Sequence, residues 1–118
     1  MTETEILVSE IVEALQDKKG RDIITMNLTE IQGSVCQYFV ICEGGSPTQV
    51  SALSDSVWVK IYERLKEKPL GIVGTQEAQW IALDYGTVIV HVFLPELRQY
   101  YNLENLWEDA KIQEFNQE

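Results

Sequence analysis

The chain is poor in cations, histidine and cysteine, and each shortage closes off a class of function. Nine lysines and arginines stand against nineteen aspartates and glutamates, a formal charge of −10. Unaided binding to a nucleic-acid backbone needs clustered cations to neutralise phosphates, so that class is disfavoured. The deficit deepens along the chain. Residues 70–118 hold eight acids (Glu77, Asp84, Glu96, Glu104, Glu108, Asp109, Glu114, Glu118) and only Arg98 and Lys111 as bases. Such a surface favours solubility and, through long-range steering, a basic protein partner. One histidine, His91, rules out the usual zinc-ligand spacings, and Cys36 and Cys42 form no C-x-x-C pair. No metal and no other cofactor is expected. Both cysteines lie in an apolar, strand-like run, which implies free buried thiols in a reducing compartment, here the cytoplasm. There is no run of about 18 apolar residues and no charged start followed by an apolar segment, so neither membrane insertion nor secretion is expected.

What remains is an ordinary globular composition, 45% hydrophobic and 24% charged over 118 residues. It suits one domain, residues 1–118, with a frayed tail at about 114–118. Residues 4–18 read as an amphipathic helix, with Leu7, Ile11 and Leu15 on one stripe widened by Val8 and Val12. DIITMNL, 22–28, alternates as a half-buried strand. QYFVIC, 37–42, reads as a central strand, and the short link through Gly33 suits an antiparallel pair. Ser46-Pro47-Thr48-Gln49 reads as a capping box opening a helix with Val50, Leu53, Val57, Ile61 and Leu65 on one face. Pro69 ends it. Residues 71–74 read as a short strand. QWIALD, 79–84, and TVIVHVF, 87–93, read as a hairpin turning at Tyr85-Gly86. Pro95 opens a short helical turn ending near Tyr101, and residues 103–115 read as a closing helix. The order α-β-β-α-β-β-β-α predicts a single-domain α/β sandwich on a mixed sheet, with helices on its faces.

Three features bear on chemistry. Gly44-Gly45-Ser46 lies between a strand and a helix, the layout in which helix-start amides hold a phosphate. Nucleotidyltransferase-like folds use such a turn, but their metal chemistry needs paired acids on the next strand. Here the next acid, Asp55, falls on the helix, and no Walker lysine or G-x-G-x-x-G occurs. The turn reads as a corner with a cap; a nucleotide-binding or nucleotidyl-transferring enzyme using Gly44–Ser46 stands as the alternative. His91 shares a strand face with Ile89 and Phe93 and has no evident nucleophile beside it, so it reads as structural. Trp80, Asp84, Tyr85, Arg98, Tyr100, Tyr101, Glu104 and Trp107 form a dense aromatic and charged group. They are either packing beneath the last helix or an interface, since Trp, Tyr and Arg dominate interface hot spots.

W-I-A-L-D-Y-G-T-V-I-V-H-V-F, residues 80–93, and R-Q-Y-Y-N-L-E-N-L-W-E-D-A, residues 98–110, resemble the bacterial ribosomal silencing factors, the Iojap or RsfS family. The family pattern is close to W-x-x-x-D-Y-G-D-V-V-V-H-x-F, then R-x-x-Y-x-L-E-x-L-W-x-D-A. D-I-I-T-M-N-L, Y-F-V-I-C-E-G-G-S-P-T-Q-V and A-L-S-D align in order with its other blocks, so the resemblance spans about residues 5–112.

The resemblance implies a nucleotidyltransferase-like fold without catalytic acids, and a protein that is not an enzyme. It implies binding to the large ribosomal subunit through ribosomal protein uL14, a steric block to joining of the small subunit, and lowered translation in starvation or stationary phase. A role in large-subunit maturation also attaches to the family, and a homodimer stays open. Carried over by residue, Trp80, Leu83, Asp84 and Tyr85 match the family's hairpin surface, and Arg98, Tyr101, Leu103, Glu104 and Trp107 its tail. The expectation is that Trp80 and Tyr85 anchor the partner while Asp84 and Glu104 pair with its lysines or arginines. Arg98 is either a contact or an internal clamp on the acids, and Trp107 is expected in the core. Asn27, Gln37 and Thr87 stand where the family commonly has Asp, and Val73 where it has Glu.

Overall fold

In the computed structural model, which describes residues 2–115, six strands form one mixed sheet. Helix α1, Glu3–Asp17, starts at Thr2, whose hydroxyl accepts from the Glu5 amide while Glu5 accepts from the Thr2 amide. This reciprocal capping box satisfies two amides that the first turn leaves over. Strands β1, Arg21–Asn27, and β2, Tyr38–Glu43, pair antiparallel, Met26 opposite Phe39. Helix α2, Pro47–Leu65, follows from Ser46. The chain then crosses to the far edge, lays down β3, Gly71–Val73, and steps back through β4, Trp80–Asp84, and β5, Val88–Phe93. Strand β5 thus runs parallel to β2, in the order β3-β4-β5-β2-β1-β6.

Helices α1 and α2 cover one face of the sheet. Ile11, Leu15, Leu53, Val57 and Ile61 meet Ile23, Val40, Cys42, Ile81, Leu83, Val90 and Val92 there, forming the main core. The two helices are tied by Ser56, whose hydroxyl donates to the Ala14 carbonyl, and by Lys60, 2.7 Å from Asp17. The other face carries a smaller core of Ile24, Met26, Phe39, Ile41 and Phe93, over which Leu97, Leu103 and Trp107 pack. Full burial of each large aliphatic side chain is worth about 1.5–3 kcal/mol, so the helix-covered face carries most of the stability.

The C-terminal segment departs from expectation. Helix α3, Pro95–Tyr101, matches the predicted turn, but no closing helix runs over 103–115. A four-residue helix α4, Leu103–Leu106, gives way at Trp107, and Lys111–Phe115 form strand β6, paired antiparallel with β1. The reason is tertiary: β1 offers an open edge, and pairing with it puts Phe115 against the main core, although K-I-Q-E-F does not itself alternate. Glu114 would also sit unfavourably in the last turn of a helix over 103–115. Glu114 and Phe115, expected to fray, are in this strand; 116–118 lie outside the described residues. The mixed-sheet α/β sandwich stands, with one more strand than expected.

The Ser46 cap forms, but the capping box does so only in part. The Gln49 amide donates to the Ser46 hydroxyl, whereas the Gln49 side-chain oxygen accepts from the Gly45 amide, one residue early. Among the described residues, no helix is long and apolar enough to cross a membrane.

Candidate functional site

Side chains alternate across a strand, and on β4 that alternation divides the predicted site residues. Ile81 and Leu83 point into the helix-covered core, as does Tyr85 just beyond the strand. Leu83 is fully buried and Tyr85 is 7% exposed. Trp80 and Asp84 take the opposite parity and are half-buried on the face that α1 and α2 do not cover. Leu83 and Tyr85 are therefore corrected from surface contacts to core residues. Burial pushes the Tyr85 phenol up to about 12, and its hydroxyl has no hydrogen-bond partner among the described residues.

The turn itself is fixed by Asp84. Its carboxylate accepts from the Gly86 amide at 2.7 Å, and Gly86 takes φ +88, a conformation that suits glycine. The Tyr85 amide donates to the Val88 carbonyl and closes the hairpin.

After β5, Leu94 donates its amide to the Gln79 carbonyl, which docks the start of α3 beside β4. The helix brings Tyr101 onto Trp80, ring centroids 4.5 Å apart, while Phe93 stacks with Trp80 at 5.0 Å. Tyr100 meets Tyr101 edge-on and is 79% exposed. A groove of about 540 Å³ runs beside these rings, lined by Thr75, Glu77, Gln79, Trp80, Leu97 and Tyr101 among others. Val73 on the edge strand pairs with Ala82, which shares the parity of Trp80 and Asp84, so this departure from the family pattern adds an apolar group to the same face. Asn27 is used locally, its side chain accepting from the Thr29 amide; at Gln37 it is the backbone N–H that is used, donating to the Thr87 carbonyl.

Arg98 is a clamp. It is 8% exposed, and its guanidinium donates to the Asp22 carbonyl at 2.7 Å, to Glu43 at 3.0 Å and to Glu104 at 3.3 Å. Asp22 lies where the β1–β2 register slips, with φ +50, and the bulge aims its carbonyl at Arg98. Asn102, at φ +46, turns α3 into α4 and carries Glu104 back to the guanidinium. Of the two expected readings of Arg98, contact or internal clamp, the geometry is that of the clamp, and Glu104, its side chain 32% exposed, is paired with it. Leu103 is half-buried in the smaller core. Trp107 packs edge-on against Phe39 at 6.3 Å, in the core as expected.

The sequence offered no signal for two features. Leu106, within the expected closing helix, is 69% exposed because α4 ends there. His91 accepts at Nδ1 from the Trp80 indole N–H at 3.1 Å; its burial lowers its pKa to about 4, so the ring is neutral. The Gly44–Ser46 turn is a corner: the Gly44 amide donates to Phe93 and the Gly45 amide to Gln49. A side chain at Gly44 would press on Val50, the close approach of strand to helix that requires glycine.

The family model for the ribosomal silencing factor during starvation, RsfS, matches residues 1–118. The chain belongs to the RsfS family. A ribosomal silencing factor RsfS from Chromobacterium violaceum is 42% identical over 103 residues, 85% of this chain and 80% of that protein. A crystal structure of a C. violaceum protein superposes with a TM-score of 0.84 at 38% identity, covering 91% of this chain and 88% of that one. A mouse protein named for mitochondrial assembly of the large ribosomal subunit is 32% identical over 100 residues, 82% of this chain but 43% of that protein. The RsfS fold is thus shared across nearly the whole domain.

Proposed function

We propose that this RsfS-family chain is a non-enzymatic cytoplasmic factor that binds the large ribosomal subunit through ribosomal protein uL14 and silences translation by occlusion. The small subunit is excluded because two partners cannot share one surface. The observation that carries this reading is the open face of β4: the Trp80–Tyr101 aromatic pair lies on it with Asp84, on a chain of charge −10. An aromatic anchor beside an acidic rim fits a basic ribosomal protein, with the charges supplying steering and register. The contact set narrows to Trp80, Asp84 and Tyr101, with exposed Tyr100 and Val73 beside them.

The test is co-sedimentation with purified subunits at two salt concentrations, followed by a subunit-joining assay. Native protein is expected with the large subunit alone, more weakly at high salt, and to reduce joining. Asp84→Lys and Trp80→Ala are expected to weaken both effects. Native protein that stays at the top of the gradient at low salt ends this reading.

A further inference from the structure

The hydrogen bond between Trp80 and His91 is more than packing requires. The indole is half-buried on the proposed docking face, yet its N–H turns inward to a ring that is 7% exposed. On the hairpin ladder, Trp80 pairs with Phe93 and Ala82 with His91, so the two residues are diagonal neighbours on one face. Phe93 and Tyr101 contact the indole, and rings alone allow sliding and flipping. A hydrogen bond from Nε1 removes that freedom, because the donor sits at one corner of the ring.

We propose that His91 is a positioning residue for docking: its Nδ1 holds the Trp80 indole in the orientation that presents it, with Tyr101, to the ribosomal partner. This rests on the reading that the β4 face docks the ribosome.

The choice of histidine supports the assignment. With Nδ1 accepting, a neutral imidazole carries its proton on Nε2. Among the described residues, Nε2 is buried without a hydrogen-bond partner. An unmet buried donor costs the fold stability that a leucine would keep. What imidazole supplies and leucine does not is an acceptor aimed at the indole. Phe39, edge-to-face at 4.8 Å, and Phe93, parallel at 5.9 Å, hold the imidazole itself in place.

The experiment uses full-length protein with ¹⁵N-labelled tryptophan, the Trp80 indole resonance being assigned from Trp80→Phe. Indole N–H exchange and affinity for purified large subunits are read for native protein, His91→Leu and His91→Asn. Asn places an oxygen acceptor near the position of Nδ1; Leu places none. Native protein and His91→Asn are expected to share a protected Trp80 indole proton and similar affinity. His91→Leu is expected to expose that proton and bind roughly fivefold more weakly, the effect of one lost hydrogen bond, with its melting temperature undiminished. A native Trp80 indole proton that exchanges as fast as free tryptophan overturns the proposal without any variant. So does a His91→Leu protein that binds like native. If Trp80→Ala also binds like native, it is the docking reading that fails, and the exchange data still judge the His91 bond.

Discussion

Replacing Arg98 with methionine should remove about 3 kcal/mol of stability and loosen the whole C-terminal segment. Methionine keeps the apolar stem and deletes the guanidinium, so the loss reports on charge and hydrogen bonds rather than volume. Removing one partner of a buried ion pair costs about 3–5 kcal/mol, because the other charge stays buried and unpaired. The lower end applies here. The Glu104 side chain is 32% exposed and can turn to water, whereas the Glu43 side chain is 15% exposed and the Asp22 carbonyl is held by the bulge. At about 0.05–0.15 kcal/mol per residue, a domain this size has roughly 6–18 kcal/mol in total, so the change is large. At about 3–4 °C per kcal/mol, the melting temperature should fall by about 10 °C. Urea unfolding followed by tryptophan fluorescence measures it. Glu43→Gln in the Arg98→Met background should recover part of the loss by removing the stranded charge, with a coupling of about 1–2 kcal/mol. An Arg98→Met protein within about 0.5 kcal/mol of native, or zero coupling to Glu43, would show that the clamp does not hold the segment.

Four other outcomes follow from the same geometry. Tyr85→Phe should be neutral or stabilising by about 1 kcal/mol, because it removes a buried hydroxyl without a partner, and should leave ribosome binding intact; lost binding would put Tyr85 back on the surface. Asp84→Asn keeps an acceptor for the Gly86 amide, so thermal stability should hold while ribosome affinity and its salt dependence both fall; unchanged salt dependence would remove Asp84 from the interface. His91 titrates at about 4 in the fold against about 6.5 unfolded, so the unfolded chain takes up the proton first. Above about pH 6.5 the buried neutral ring carries no protonation penalty, and toward pH 4 native protein should lose on the order of 3 kcal/mol that His91→Asn does not; a stability difference between the two that stays constant over that window would argue against burial of the ring. Burial pushes the Cys36 thiol up to about 11 and the Cys42 thiol up to about 12, so at pH 8 an aromatic disulfide reagent should label them only as fast as the chain opens; immediate labelling would mean that either is exposed.

Much of the fold is legible in local pattern. Leu7, Ile11 and Leu15 mark α1, and Ser46 with Pro47 marks the start of α2, because capping and helical period involve residues a few positions apart. The β4–β5 hairpin is equally local, set by alternation and by Gly86. The family pattern over residues 80–110 points to the same region that the structure leaves half-open, but it does not say which side chains face out. Lys111–Phe115 shows the limit: five residues without strand alternation became a strand because β1 had a free edge to pair with, a fact about residues some ninety positions earlier.

The sequence by itself determined the parity of β1 to β5, the starts of α1, α2 and α3, the acidic character and the family. Only the tertiary structure decided which parity is buried. Two helices packed on one face of the sheet put Leu83 and Tyr85 inside and left Trp80 and Asp84 half-exposed, an outcome that alternation alone leaves symmetric. It also brought Arg98 to Asp22 and Glu43, and folded β5 onto β4 so that His91 meets Trp80. The Arg98 contacts join residues far apart in the chain and, like the turning of the Trp80 indole to His91, depend on how the elements pack, which no window of local sequence records.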